Sequence, residues 1–479
     1  SGDFNPPTPA ERQMLAAADL AAGFRLACQL KPASDGELYL RQPAQQSVWN
    51  RLDSQQLYQA TSGNAAITEQ VYGVAVDLGT THIRLSLWNR QTGVRVGSRF
   101  CINPQVAQGA DVLTRLDRQR QAEPGHTLIA QAARNALIDG LHDILRHDLK
   151  TTAILEQLGE VLIVGNTAML TLIAGLSGDV LYDVENWQQP IACLPVDADA
   201  WRQAWQMPNA SITLAQPLAG FVGSDLVADL LATGLTEQPG PKLLADFGTN
   251  TEIALWDGHR LWVTSVAGGP AFEGVGIRNG MMAEPGAVVR VRPVLGSWRL
   301  QTLGDLPARG FCASGFVDAM ALLREQGKLK PAGRFSENHA QGGFWLDAEN
   351  PRTAIYASDI DLFQRAKAAT AAAMMQLLQL AGLSLSDLTA LWICGSFGRD
   401  LHLKSAMQIG LLPTLDLDKI KLLANASLIG CEKWLLEPDA TATVAAMKAR
   451  ARVINLGSLG DYEDRFIDHL RLQPVPLAE

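Results

Sequence analysis

Clustered basic residues are missing from this chain of 479 residues: 40 Lys and Arg are set against 49 Asp and Glu, a net charge of −9, and nowhere do the cations gather into a run. Neutralising a phosphate backbone needs such a cluster, so nucleic acid is excluded as a partner. Closely spaced cysteines are missing too. The six present, Cys28, Cys101, Cys193, Cys312, Cys394 and Cys431, are scattered, which leaves no zinc or redox pair and points to a reduced, cytoplasmic setting. No charged-then-apolar leader opens the chain at Ser1-Gly2-Asp3-Phe4, so no secretory signal is read and a trimmed start is expected. There is also no uninterrupted apolar span. The best membrane candidate, 368–385, is broken by Gln376 and Gln379; it falls short of the roughly 20 residues a crossing helix needs and reads as a buried helix.

What is present describes a soluble α/β chain, with 47% hydrophobic residues, 19% charged residues and 42 glycines, long enough for two or three domains. Residues 1–32 carry Pro6, Pro7 and Pro9, an Ala-rich helical stretch and the run Arg25-Leu26-Ala27-Cys28-Gln29. The stretch 33–70 is polar and Gln-rich with little periodicity, as in a linker. The texture then changes. Val71-Tyr72-Gly73-Val74-Ala75-Val76 is a short β-prone run, Asp77-Leu78-Gly79-Thr80-Thr81 supplies turn chemistry, and a second strand follows from Ile83 to Trp88, which predicts a hairpin. About 170 residues on, Lys242-Leu243-Leu244-Ala245 leads into Asp246-Phe247-Gly248-Thr249-Asn250, and the strand resumes from Glu252. Late in the chain, Leu391-Trp392-Ile393-Cys394 feeds the turn Gly395-Ser396-Phe397-Gly398.

A turn of Gly and Thr presents N–H groups and hydroxyls that wrap a phosphate, with Gly where the backbone must come close. An Asp at the adjoining strand end holds magnesium, usually through water. Two such turns facing one another would grip a nucleotide from both sides, which is most of what phosphoryl transfer asks of a protein. Taken alone, each motif is also an ordinary solvent-exposed turn; their repetition in the same strand context argues for the nucleotide. On this reading Asp77 and Asp246 are the catalytic, magnesium-side acids. Gly79, Thr80 and Thr81, with Gly248, Thr249 and Asn250, are the phosphate-gripping turns. Gly395, Ser396 and Gly398 form the third, late glycine-rich turn, whose resemblance to the actin-like superfold implies that it packs against adenosine. Asp225, in a Gly-Ser-Asp turn opening an apolar helix, orients the attacking water or caps that helix. Cys312, Cys394 and Cys431 read as core residues, and Trp49, Trp88, Trp187, Trp201 and Trp205, with no regular spacing, read as interior contacts.

The three turns in this order resemble the duplicated α/β fold of actin, heat-shock chaperones and sugar kinases, in which a nucleotide cleft lies between two lobes; here these would be 71–216 and 217–479. A narrower resemblance rests on Asn103-Pro104-Gln105, Gly109-Ala110-Asp111-Val112, Val164-Gly165-Asn166-Thr167-Ala168-Met169, Gly220-Phe221-Val222-Gly223-Ser224-Asp225, Gly268-Gly269-Pro270-Ala271-Phe272-Glu273-Gly274 and Ile393-Cys394-Gly395-Ser396-Phe397-Gly398. From about residue 71 onward the chain resembles the reductive activators of corrinoid proteins. That resemblance implies an ATPase that uses ATP and magnesium to return Co(II) corrinoid methyl-transfer proteins to Co(I). It also implies electrons from a low-potential donor through an N-terminal plant-type [2Fe-2S] ferredoxin domain, and a homodimer. If a corrinoid approaches the Ala267-Gly268-Gly269-Pro270 turn, Ser265 would face it; the ordinary alternative is a surface hydroxyl.

The sequence departs from the family at the ferredoxin end. Four thiolates are needed, three of them closely spaced, and only Cys28 matches the distant fourth. Residues 1–32 are therefore read as the C-terminal remnant of such a domain, cut short, with a degenerate domain as the alternative; the cluster is expected only in a full-length protein. Competing functions are a small-molecule kinase of the same superfold, which would need an acid acting as base over a substrate hydroxyl, and a non-enzymatic ATP-gated binding protein. The cluster-bearing dehydratase activators share the fold but need nearby cysteines that this core lacks.

Overall fold

In the computed structural model, the residues described are 5–8, 20, 25, 31, 49–52, 58, 71–109, 112–120, 128–268, 270–294, 297–337, 342–395, 397 and 400–475. The chain forms two compact units, Ser1–Gln46 and Ser47–Glu479. In the first, Asn5 fixes a local crossing: its N–H donates to the Lys31 carbonyl, its Oδ1 accepts from the Lys31 N–H, and its carbonyl accepts from Arg25. Cys28 lies outside the described residues.

The second unit is a duplication. Its first half contains β1 (Asn50–Arg51), β2 (Tyr72–Leu78), β3 (His82–Asn89), β4 (Val94–Ile102), α1 (Val112–Arg120), α2 (Leu128–Ile144), β5 (Leu158–Gly165), α3 (Thr167–Ala174), α4 (Ala198–Ala204) and β6 (Ser211–Leu214). After α5 (Ser224–Thr233) come β7 (Lys242–Phe247), β8 (Thr251–Trp256), β9 (Leu261–Val266), β10 (Ala287–Val294), β11 (Ser297–Thr302), β12 (Gly310–Phe311), α6 (Ala313–Glu325), β13 (Gly343–Trp345), β14 (Ala354–Tyr356), α7 (Ala357–Leu380) and β15 (Ala390–Gly395). The chain closes with α8 (Leu403–Gln408), β16 (Ile420–Leu422), α9 (Ala426–Leu436), α10 (Ala440–Arg450), β17 (Ala451–Val453) and α11 (Tyr462–Asp468).

Two six-stranded sheets result, ordered β6-β5-β2-β3-β4-β1 and β16-β15-β7-β8-β9-β17. The β6/β5 and β5/β2 pairs are parallel and the β2/β3 and β3/β4 pairs antiparallel, and the same sequence of senses recurs from β16 to β9. The edges differ, β1 joining β4 antiparallel and β17 joining β9 parallel. The near-continuous apolar runs of β2, β5 and β7 follow from burial on both faces. Between β9 and β15 the second half inserts small sheets of β10, β11 and β12 and of β13 and β14. The stretch 368–385 overlaps α7, whose Ala371 to Met374 are fully buried against the second sheet. No helix among the described residues is long and apolar enough to cross a membrane.

The stretch expected as a linker contributes to the fold at its described residues. β1 pairs with β4, and Tyr58 docks on α9, its hydroxyl donating to Glu437 and its N–H to Glu432. A two-residue edge strand and a single aromatic leave no periodicity to read.

The two halves meet where α5 and α9 cross. α5 follows the first sheet yet packs under the second, its Leu226, Val227, Leu230 and Leu231 lying against Leu244 and Ala254. α9 follows the second sheet yet packs on the first, its Leu428, Cys431 and Leu435 lying against Ala75, Leu162 and Val164. A Cβ built on Gly430 would fall 1.8 Å from the Ala228 carbonyl, so the helices meet backbone to backbone. Glu432 on α9, fully buried, is paired to Arg95 at 3.2 Å and also accepts from the Trp88 indole. Gly430→Ala is expected to lower the unfolding free energy by about 3 kcal/mol through overpacking; chemical denaturation with an unchanged midpoint would refute the crossing's tightness.

Candidate functional site

Both hairpins place an acid at the same register. In the first, Asp77 pairs across with Arg84 and Leu78 with Ile83; in the second, Asp246 pairs with Glu252 and Phe247 with Thr251. Each turn is drawn in by its glycine. The Gly79 N–H donates to the His82 carbonyl and the Gly248 N–H to the Asn250 carbonyl, both at 2.9 Å. The first turn is braced from outside as well: Asn103 Nδ2 donates to the Gly79 carbonyl at 2.8 Å, Arg115 to the Thr80 carbonyl at 2.8 Å, and Asn166 Nδ2 to the Thr80 hydroxyl at 2.9 Å. The Asn-Pro-Gln and Gly-Asn-Thr motifs therefore brace the first hairpin turn.

A buried set of carboxylates lies between the hairpins. Asp77, Asp229 and Glu252 are 5%, 0% and 5% exposed, and the half-buried Asp225 and Asp246 adjoin them. Burial pushes Asp225 up to about 7, with the charges of Asp246 and Asp77 adding to it. Burial pushes Asp246 up to about 6, reinforced by Asp77 and Glu273 and opposed by Arg84. Asp229 and Glu252 are driven well above the usual carboxylate range, again by burial and then by the neighbouring acids. Asp77 is raised by burial, against the pull of Arg84, whose guanidinium lies 3.0 Å from its Oδ2. The acids come together by simple geometry. Asp225 and Asp229 are one turn apart on α5, and the cross-strand register brings Glu252 beside Asp246.

Asp225 lies in the first turn of α5 while Gly223 occupies the N-cap position, so the capping reading of this acid does not hold. Gly395 has φ 75°, and a Cβ there would fall 2.2 Å from both Asp246 Oδ1 and the Phe247 carbonyl, so glycine at this point keeps the second acid's space open. Ser396 and Gly398 lie outside the described residues. Ser265 is on β9, half-buried, with its hydroxyl donating to Glu252 at 3.0 Å; it lies in the acid set instead of on an exposed stretch. Thr81 and Thr249 both donate to Glu273 Oε2. Cys101, Cys193, Cys312, Cys394 and Cys431 are all buried and in no disulfide among the described residues, in keeping with a core role.

Crowded, desolvated carboxylates fit a hard dication. One buried oxygen, Asp229 Oδ2, has no hydrogen-bond partner among the described residues. No three acidic, His or Cys side chains among them form a direct ligand shell.

Duplicated sheets, two Asp-tipped turns and a carboxylate set between them define an actin-like ATPase fold. Comparison with known proteins narrows this. Residues 240–477 match the family model described as the C-terminal domain of RACo, the ASKHA domain, and residues 72–238 match the RACo middle region. The corrinoid activation enzyme RamQ of Eubacterium limosum is 28% identical over 423 residues, covering 80% of this chain and 69% of its own length. The reductase of the Co(II) methylated amine-specific corrinoid protein of Methanosarcina barkeri is 26% identical over 400 residues, covering 77% and 70%. A solved reductive activator for a corrinoid, iron–sulfur protein superposes with a TM-score of 0.71 at 26% identity, over 86% of this chain and 68% of that one. The chain belongs to the family of reductive activators of corrinoid proteins.

The raised acids carry a pH signature. Their folded values lie above the roughly 4 of an unfolded carboxylate, so the stability they lend is complete below that pH and is lost as pH rises through about 6 and about 7. Asp225→Asn is expected to raise the melting midpoint of the nucleotide-free protein at pH 8 by roughly 2–4 °C, and to leave it nearly unchanged at pH 5. Equal shifts at both pH values in thermal denaturation would contradict the charge crowding.

Proposed function

We propose that this chain is an ATP-hydrolysing redox activator that returns a Co(II) corrinoid methyl-transfer protein to Co(I), taking the electron from a low-potential donor. The observation that carries the reading is the pair of Asp-tipped hairpin turns aimed at one buried carboxylate set, in a chain whose relatives are named for corrinoid activation.

In this reading the N–H groups and hydroxyls of Gly79, Thr80 and Thr81 and of Gly248, Thr249 and Asn250 hold the phosphates of ATP. Asp77 and Asp246 would hold magnesium, relieving the mutual repulsion of the second-lobe acids; bound there, the ion would supply charge neutralisation for phosphoryl transfer. Asp225, whose raised value suits a proton acceptor near neutral pH, orients the attacking water. Gly395, with Ser396 and Gly398 of the same glycine-rich turn, is assigned to adenosine binding.

A [2Fe-2S] cluster does not fit the residues of this chain. Four thiolates are needed, while five of the six cysteines are buried singly in the second unit and Cys28 stands alone in the first. We assign Cys28 to the fourth ligand position of an N-terminal ferredoxin domain in a full-length protein and route no step through it.

Asp77→Ala and Asp246→Ala are each expected to lower ATP hydrolysis at least about 100-fold while circular dichroism stays that of the parent. Co(I) formation on a corrinoid protein, followed by its visible absorbance with a low-potential donor present, should fall in step. Undiminished ATP turnover in both variants would sink these assignments.

A further inference from the structure

Glu273 closes the turn Pro270–Glu273 that follows β9. Its Oε2 accepts from the Thr81 hydroxyl at 2.8 Å and from the Thr249 hydroxyl at 2.9 Å. One donor comes from each hairpin turn, so a single anionic oxygen bridges the two lobes. Two hydroxyl donors converging on one anionic oxygen is also the arrangement that suits a terminal phosphoryl oxygen. Here the chain's own carboxylate fills it. The charge of Glu273 is felt by Asp246, which places it at the edge of the acid set.

The backbone on either side of Glu273 is fixed. Phe272 is 1% exposed and its ring meets those of Phe247, Phe397 and Phe363 at 5.3, 5.4 and 5.9 Å. Gly274 has φ 77°, a Cβ there would fall 2.5 Å from the Met281 nitrogen, and its N–H donates to the Ala271 carbonyl. Release of the two threonines therefore means rotation of the Glu273 side chain about its own bonds, with the turn staying in place.

We propose that Glu273 occupies the γ-phosphate subsite and sets the discrimination between nucleoside diphosphates and triphosphates. This rests on the reading of Gly79–Thr81 and Gly248–Asn250 as the phosphate-gripping turns. A diphosphate leaves both threonine contacts to the carboxylate intact. A triphosphate has to take both hydroxyls from Glu273 and to lie beside its charge, and like charges brought together across a desolvated contact weaken binding. The carboxylate is thus an internal competitor for the terminal phosphate alone.

The test is isothermal calorimetry with magnesium and either ADP or the non-hydrolysable AMP-PNP. Glu273→Gln keeps the size of the side chain and an acceptor oxygen but loses the charge. It should tighten AMP-PNP binding by about tenfold and change the ADP Kd by less than about twofold. Thr249→Val removes one of the two donors and should weaken AMP-PNP more than ADP. Equal shifts for both nucleotides in Glu273→Gln, or no shift in either, would overturn the proposal while leaving the ATP reading intact. Failure of the unaltered protein to bind either nucleotide would overturn the ATP reading and this proposal with it.

Discussion

The cleft depends on the contact between Gly430 of α9 and the Ala228 carbonyl of α5. Each helix comes from one half of the duplication and lies on the other half's sheet. The crossing therefore sets how far apart the two hairpins stand. Ser427, three residues before Gly430, donates to Asp229 Oδ1 at 3.0 Å, so the acid set is tied to the same joint. Backbone contact without side chains between leaves no compressible layer.

The duplication is broken where charge matters most. Across from the first acid the strand carries Arg84, and across from the second it carries Glu252. The first lobe thus compensates its own carboxylate, and the second compounds it. A buried carboxylate without a counter-charge is costly, and four of them around α5 and β7 make the second lobe the place where a dication stabilises most. The site is poised by this asymmetry: its acids are partly protonated near neutral pH unless a cation is supplied, and the fold bears that cost as a functional site often does.

Much of this was legible in the sequence because it is local. The Asp-x-Gly-Thr turns sit between β-prone runs, and their recurrence announces the duplication. Asp229 could have been found as the residue one helical turn beyond Asp225, and Glu252 by counting across the second hairpin. Glu273, Asn103, Asn166 and Arg115 could not be given roles, because their partners lie on elements far away in the chain and no spacing rule connects them. The half-way boundary set at 216 and 217 meets the same limit. α5 begins beyond it, falls within the matched segment 72–238, and still belongs by contact to both lobes. A boundary is a poor description of a helix that joins two sheets. Ser265 misled for the opposite reason: a Ser beside a Gly-Gly-Pro turn looks exposed, yet the register of β8 and β9 turns it toward Glu252.

Tyr58, upstream of β2, docks on the same helix that crosses α5. Tyr58 donates to Glu432 on α9 and to Glu437 just past its C-terminal end, and its ring lies 6.1 Å from that of Trp88. Arg95 adds to the joint by donating to the Tyr58 carbonyl and to Glu432 while lying over the Trp88 ring. Burial and the nearby Glu437 and Glu432 carboxylates hold the Tyr58 phenol above its ordinary range, so it stays a hydrogen-bond donor at any physiological pH. A shift of α9 against the first sheet would have to move Tyr58 or break a buried charge pair, and the latter leaves an unpaired carboxylate with nowhere to place its charge. Tyr58 is thereby tied to the same helix, α9, that meets α5 backbone to backbone at Gly430.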